Sequence, residues 1–213
     1  MTSKFISRRD IDNALQAQFF LCLESTDDSC VEFIGMCDDI ENKNLVRQAR
    51  DRRIGYEGRT LLHNAARLGK LNAVRYLLSI QHPVDPVDSS VSLLTPIMDA
   101  VAFHFSEIAI TLATAGANLA HQDIQGENVL HYTARSGSAR LIVDIIRASG
   151  LSTAAIQATV SACNVKLKFP EDVAMNSHCR EVLKEYRESG TKVAYVRAKK
   201  SIKSNKASQK VYA

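Results

Sequence analysis

The sequence predicts an all-α solenoid of stacked helix-turn-helix units, and three observations carry that expectation. One six-residue phrase recurs, as Thr60-Leu61-Leu62-His63-Asn64-Ala65, Thr95-Pro96-Ile97-Met98-Asp99-Ala100 and Asn128-Val129-Leu130-His131-Tyr132-Thr133, then more weakly as Phe169-Pro170-Glu171-Asp172-Val173-Ala174. The copies start 35, 33 and 41 residues apart. At such a period each copy is one supersecondary unit that must stack on its neighbours to bury its apolar side. The composition fits: 46% of residues are hydrophobic, yet there are only six Tyr, seven Phe and no Trp. Small and aliphatic residues suffice to stack helix on helix.

A phrase close to T-P-L-H-x-A at a period near 33 resembles the ankyrin repeat, over roughly residues 51–188. The resemblance implies units built from a β-turn finger followed by two antiparallel helices. They fall near 57–90, 91–123, 124–165 and 166–188. Residues 1–50 then supply N-terminal capping helices or a divergent ankyrin unit, and 189–213 form a basic, disordered tail.

Each element has a local cause. Ile11, Leu15, Phe19 and Leu23 recur at helical spacing, and Val31 to Ile40 offers a partner helix. Thr60 caps the first inner helix, and Gly69 permits the turn into an outer helix whose apolar residues are Leu71, Val74, Leu77 and Leu78. In the second unit Pro96 takes the first helical position, where no amide donor is needed. His104 replaces the glycine found at Gly69 and Gly137, so that turn is expected to be distorted. Gly116 is a left-handed stop after the second outer helix. The third finger, Asp123-Ile124-Gln125-Gly126-Glu127, holds turn-forming Asp and Gly. Its outer helix, Ala139 to Ala148, turns Leu141, Ile142, Ile145 and Ile146 inward. The stretch from Gly150 to Lys168 is about eight residues longer than the period, and Ser152 could cap an extra short helix there. A last helix near Cys179 to Glu188 shows the polar face of a terminal cap.

Charge separates body from tail. The net charge is +4, but residues 191–213 hold seven basic residues and no acid, leaving about −3 on the rest. Arg197, Lys199, Lys200, Lys203 and Lys206 therefore suggest either a solubilising tail or a nuclear-localisation or nucleic-acid patch. Five cysteines without a C-x-x-C pair imply reduced thiols and a cytoplasmic or nuclear setting. The start of the chain has no apolar run suited to a signal peptide, and no stretch is long and apolar enough to span a membrane.

Catalytic patterns are missing. The histidines are scattered, so no zinc-ligand spacing arises. No phosphate-cradling glycine motif or G-x-S-x-G is present. Adjacent His178 and Cys179 would not face each other on a helix. The expectation is a non-enzymatic chain without cofactor. His63 and His131, by the resemblance, bond to backbone between neighbouring units.

Family resemblance places the partner-binding side on finger tips and inner helices. Equivalent phrase positions give stripes: Asn64, Asp99 and Tyr132; Arg67, Ala102 and Arg135; Leu68, Phe103 and Ser136. Phe103 between Arg67 and Arg135 would suit an interface hot spot, or else turn into the core at His104. Arg53, Tyr56 and Arg59 precede the first unit, where arginine forks suit carboxylate or phosphate groups. The expected partner is a folded protein, including a protein kinase. Short ankyrin chains resemble regulatory subunits or inhibitors of cell-cycle kinases, and inhibitors that mask transcription factors. Chromatin or nucleic-acid association through the tail is the alternative.

Overall fold

A computed structural model describes residues 59–88 and 92–189. The expected N-terminal helices, Arg53, Tyr56 and the basic tail lie outside the described residues.

Within them the chain runs α1 (Leu61–Arg67), α2 (Leu71–Ser79), α3 (Pro96–Ala102), α4 (Ser106–Thr114), α5 (Val129–Ser136), α6 (Ala139–Ala148), α7 (Thr153–Val160), a 3₁₀ turn (Pro170–Val173) and α8 (Ser177–Ser189). These form two layers. The inner layer stacks α1 on α3, α3 on α5 and α5 on the 3₁₀ turn; the outer layer stacks α2, α4, α6 and α8, with α7 packed on α8. The core lies between them. Leu62, Leu77, Ile97, Leu112, Leu130, Ile142 and Ile145 are fully buried there, and burial of such a side chain contributes about 1.5–3 kcal/mol.

The inner helices are short because the phrase fills them with buried residues and a turn follows at once. Gly69 (φ +75°) and Gly137 (φ +74°) make that turn in the left-handed region. Gly69 has a second reason: a Cβ there would lie 2.4 Å from the Phe105 ring. The expected distortion at His104 is absent. His104 adopts φ +65°, as its glycine counterparts do. The hydrogen bonds Phe105 N–H to Ala100 O (2.8 Å) and His104 N–H to Val101 O (3.1 Å) hold the turn. The histidine thus bears a steric cost of about 1 kcal/mol that glycine avoids.

The long insertion folds as expected. Ser152 Oγ accepts from Ala155 N–H at the start of α7, and Asn128 Nδ2 donates to Thr159 O at 2.7 Å, tying α7 to α5. In α8, Cys179, Val182, Leu183 and Tyr186 are buried while Arg180, Glu181, Lys184 and Glu188 face out. A polar outer face fits the end of a stack.

Candidate protein-binding surface

The second, third and fourth fingers are each closed by one residue. Asp123 N–H donates to Glu127 O, Asn164 N–H to Lys168 O, and Asp88 N–H to Leu94 O, at 2.9–3.0 Å. The same side chains accept from their own loops: Asp123 Oδ1 from Gln125 and Glu127 N–H, Asn164 Oδ1 from Lys166 and Lys168 N–H, Asp88 Oδ1 from Leu94 N–H. Such Asx turns fix each finger tip. Neighbouring fingers are also joined, by Ile124 N–H to Ser92 O and Val165 N–H to Gln125 O.

The two phrase histidines bolt α1 and α5 to the finger that follows each of them. His63 Nδ1 accepts from Thr60 N–H, and its Nε2 donates to Leu94 O at 3.0 Å. His131 repeats this with Asn128 N–H and Lys168 O. Both rings are buried. Burial lowers the His63 pKa to about 4, and that of His131 also moves down. A neutral ring donating from Nε2 is what this geometry needs.

The first stripe does not form a surface. Asn64 is buried and donates to Thr60 O. Asp99 is buried, with Arg59 Nε 3.3 Å from its carboxylate and Arg59 itself buried. Burial raises the Asp99 pKa to about 6 despite the nearby arginines. These three residues organise the joint between the first two units.

The second and third stripes divide. Phe103, which the sequence left between interface and core, is 44% exposed, and Leu68, its counterpart in the first unit, is 47% exposed. The Arg67 guanidinium lies 4.9 Å over the Phe103 ring, a cation–π contact. In the third unit the aromatic and the arginine are bonded to the finger, with Tyr132 half-buried and Arg135 still exposed. Tyr132 OH donates to Asp123 Oδ2 at 2.6 Å. Arg135 forks onto Glu127 and lies 5.3 Å over the Tyr132 ring. Asn164 Nδ2 also donates to Glu127, at 3.0 Å. Burial pushes Glu127 upward, but these bonds hold its carboxyl below the usual range. Asp123 and Glu127, nine and eight residues before their partners, were the sequence signal for this arrangement.

No cluster of His, Cys, Asp or Glu suited to a metal occurs among the described residues. Cys179 is buried and its thiol is shifted up by burial, so it is no activated nucleophile. Among the described residues no helix is long and apolar enough to cross a membrane.

A family model for ankyrin repeats, in three copies, matches residues 19–123. Residues 19–123 belong to the ankyrin-repeat family. The match begins ahead of the first readable phrase and stops before the third unit's inner helix, α5. After residue 123 the third unit repeats the histidine bolt through His131, and the third and fourth fingers are closed in the same way. No curated protein matches the chain. Ankyrin repeats mark a protein-interaction module; of the predicted stripes Leu68, Ala102, Phe103 and Arg135 are exposed and Arg67 is half-buried, with Leu68 and Phe103 the large apolar members.

Proposed function

We propose that this chain is a non-enzymatic regulator that docks a folded protein on its inner-helix face, centred on Leu68 and Phe103. The observation that carries the reading is the exposure of those two apolar side chains on a frame held by buried histidines and hydrogen-bonded fingers. An exposed aromatic with a stacked arginine, held on short rigid helices, has the make-up of an interface anchor. Side chains already ordered lose little freedom on binding, which favours affinity.

Within that reading, the narrower proposal is a regulatory subunit or inhibitor in cell-cycle or kinase signalling, acting in the cytoplasm or nucleus. Its support is the likeness to small ankyrin regulators. Affinity purification with mass spectrometry, comparing the intact chain with the L68A/F103A double variant, tests both levels. The intact chain retains one or more folded proteins, a kinase or kinase complex among them, and the variant loses them by about tenfold or more. Equal recovery by a folded variant removes the proposed face. Recovery of nucleic-acid proteins alone, lost on deleting residues 190–213, favours the tail instead.

A further inference from the structure

The fourth finger ends a ladder that the other fingers continue. The backbone oxygen of Ser92 accepts from the third finger, and that of Gln125 accepts from the fourth. Lys166 stands at the equivalent place, three residues before the fourth phrase, and no described residue donates to its oxygen. The fingertip around it is apolar and open: Val165 is 63% exposed and Leu167 is 79% exposed. A terminal unit is expected to present polar groups outward, and α8 does so while this finger does not.

Leu167 is also held in an unfavourable backbone. Its φ is +57°, where the third finger has Gly126 at +70°. Gly126 is needed because the fourth finger's backbone passes 3.1–3.3 Å from where its Cβ would be. Leucine at this place is still compatible with pairing. Leu93 occupies it in the second finger at φ +56°, and Ser92 beside it accepts from Ile124. A strained, exposed leucine next to an open acceptor is a presented side chain, since such conformations persist where the surroundings demand them.

Charge selects the occupant. Lys166 and Lys168 flank the tip and are exposed. The nearby carboxylates are engaged: Glu127 with Arg135 and Asn164, Asp172 with Phe169 N–H. The chain's own tail carries seven basic residues and no acid, and the finger of a second copy would bring the same lysines. Both are repelled. We infer that the fourth finger takes an extended, acidic segment of a partner protein, which adds as a further strand. A backbone N–H of the segment donates to Lys166 O, its apolar side chain covers Val165 and Leu167, and its carboxylates meet Lys166 and Lys168. Strand addition to an open edge supplies affinity through the main chain and specificity through alternate side chains. This site is separate from the Leu68 and Phe103 face.

Selection of a displayed random decapeptide library on the full chain, against a V165D/L167D control chain, tests it. The expected peptides alternate acidic with apolar or β-branched residues and bind the control at least tenfold more weakly. K166E/K168E weakens the same peptides at least tenfold, as does methylation of one backbone nitrogen. L167G weakens them while raising Tm, and L68A/F103A leaves them unchanged. Several results overturn the inference: no enrichment over the control, basic peptides, or unchanged affinity in L167G. So does tighter peptide binding after deletion of residues 190–213, which makes the tail the occupant. Self-association abolished by V165D/L167D, seen by sedimentation, assigns the edge to a second copy.

Discussion

The joint between the first and second units and the joint between the third and fourth share a plan and differ in chemistry. Each has a buried histidine bonded to the next finger's backbone, His63 to Leu94 and His131 to Lys168. At the later joint the arginine and the aromatic are turned onto the finger's own carboxylates. At the earlier joint the carboxylate, Asp99, is buried on the helix itself, and Arg67 and Phe103 stack on each other at the surface. The equivalent arginines, Arg67 and Arg135, therefore stack on aromatics that stand at different letters of the repeat. Asp123 and Glu127 fix Tyr132 and Arg135 to their finger, whereas Arg67 stacks on Phe103, whose ring stays exposed and within reach of a partner.

Acid should separate the joints most strongly. Folded His63 resists protonation to about pH 4, whereas the unfolded imidazole titrates near 6.5. The unfolded chain takes the proton first, so stability falls as pH drops through that window, by up to about 3 kcal/mol from this residue. Asp99 acts in the opposite sense. Its folded carboxyl takes a proton near pH 6 and its unfolded one near 3.8, so acidification across that range is stabilising. Thermal melts between pH 7 and 4 should show a shallow loss for the native chain and a steeper one for D99N. Parallel curves would mean that the earlier joint has no such opposition.

Removing the later joint's carboxylate comes next in size. Glu127→Ala strands Arg135 and Asn164 and should cost about 2 kcal/mol, a loss read as a lower urea midpoint. Arg67→Ala at the earlier joint should cost about 0.5 kcal/mol, because its aromatic partner is exposed. Equal costs would erase the distinction.

The turns give a smaller effect. His104→Gly relieves the left-handed histidine and should stabilise by about 0.5–1 kcal/mol, whereas Gly137→Ala should destabilise by a similar amount. Gly137 also faces Met175, whose sulfur would lie 3.2 Å from the added Cβ, so relaxation there is limited. A destabilised H104G chain would show that the imidazole contributes a bond of its own. Leu68→Ala with Phe103→Ala should leave stability within about 0.5 kcal/mol, as exposed side chains do.

Much of the stack was legible because the phrase encodes buried positions. Thr95-Pro96, the glycine turns, the apolar side of α6 and the Ser152 cap all follow from local chemistry. His104 misled because the turn is fixed by backbone bonds from His104 and Phe105 N–H to Val101 O and Ala100 O, which a changed side chain does not alter. Asp99 looked like a surface letter, since its buried environment is built by Arg59, a whole repeat earlier in the chain. Tyr132 and Arg135 looked available because the acids that hold them belong to the preceding finger. Leu93 and Leu167 were hidden for another reason: a leucine in a left-handed turn has no sequence signature.

The most direct test compares partner retention with stability in two variants. On affinity purification, L68A/F103A should lose its folded partners by about tenfold or more while melting like the native chain. E127A should melt earlier yet keep those partners below its transition. Full partner recovery by L68A/F103A, or selective loss by folded E127A, would contradict the division of labour between the two joints.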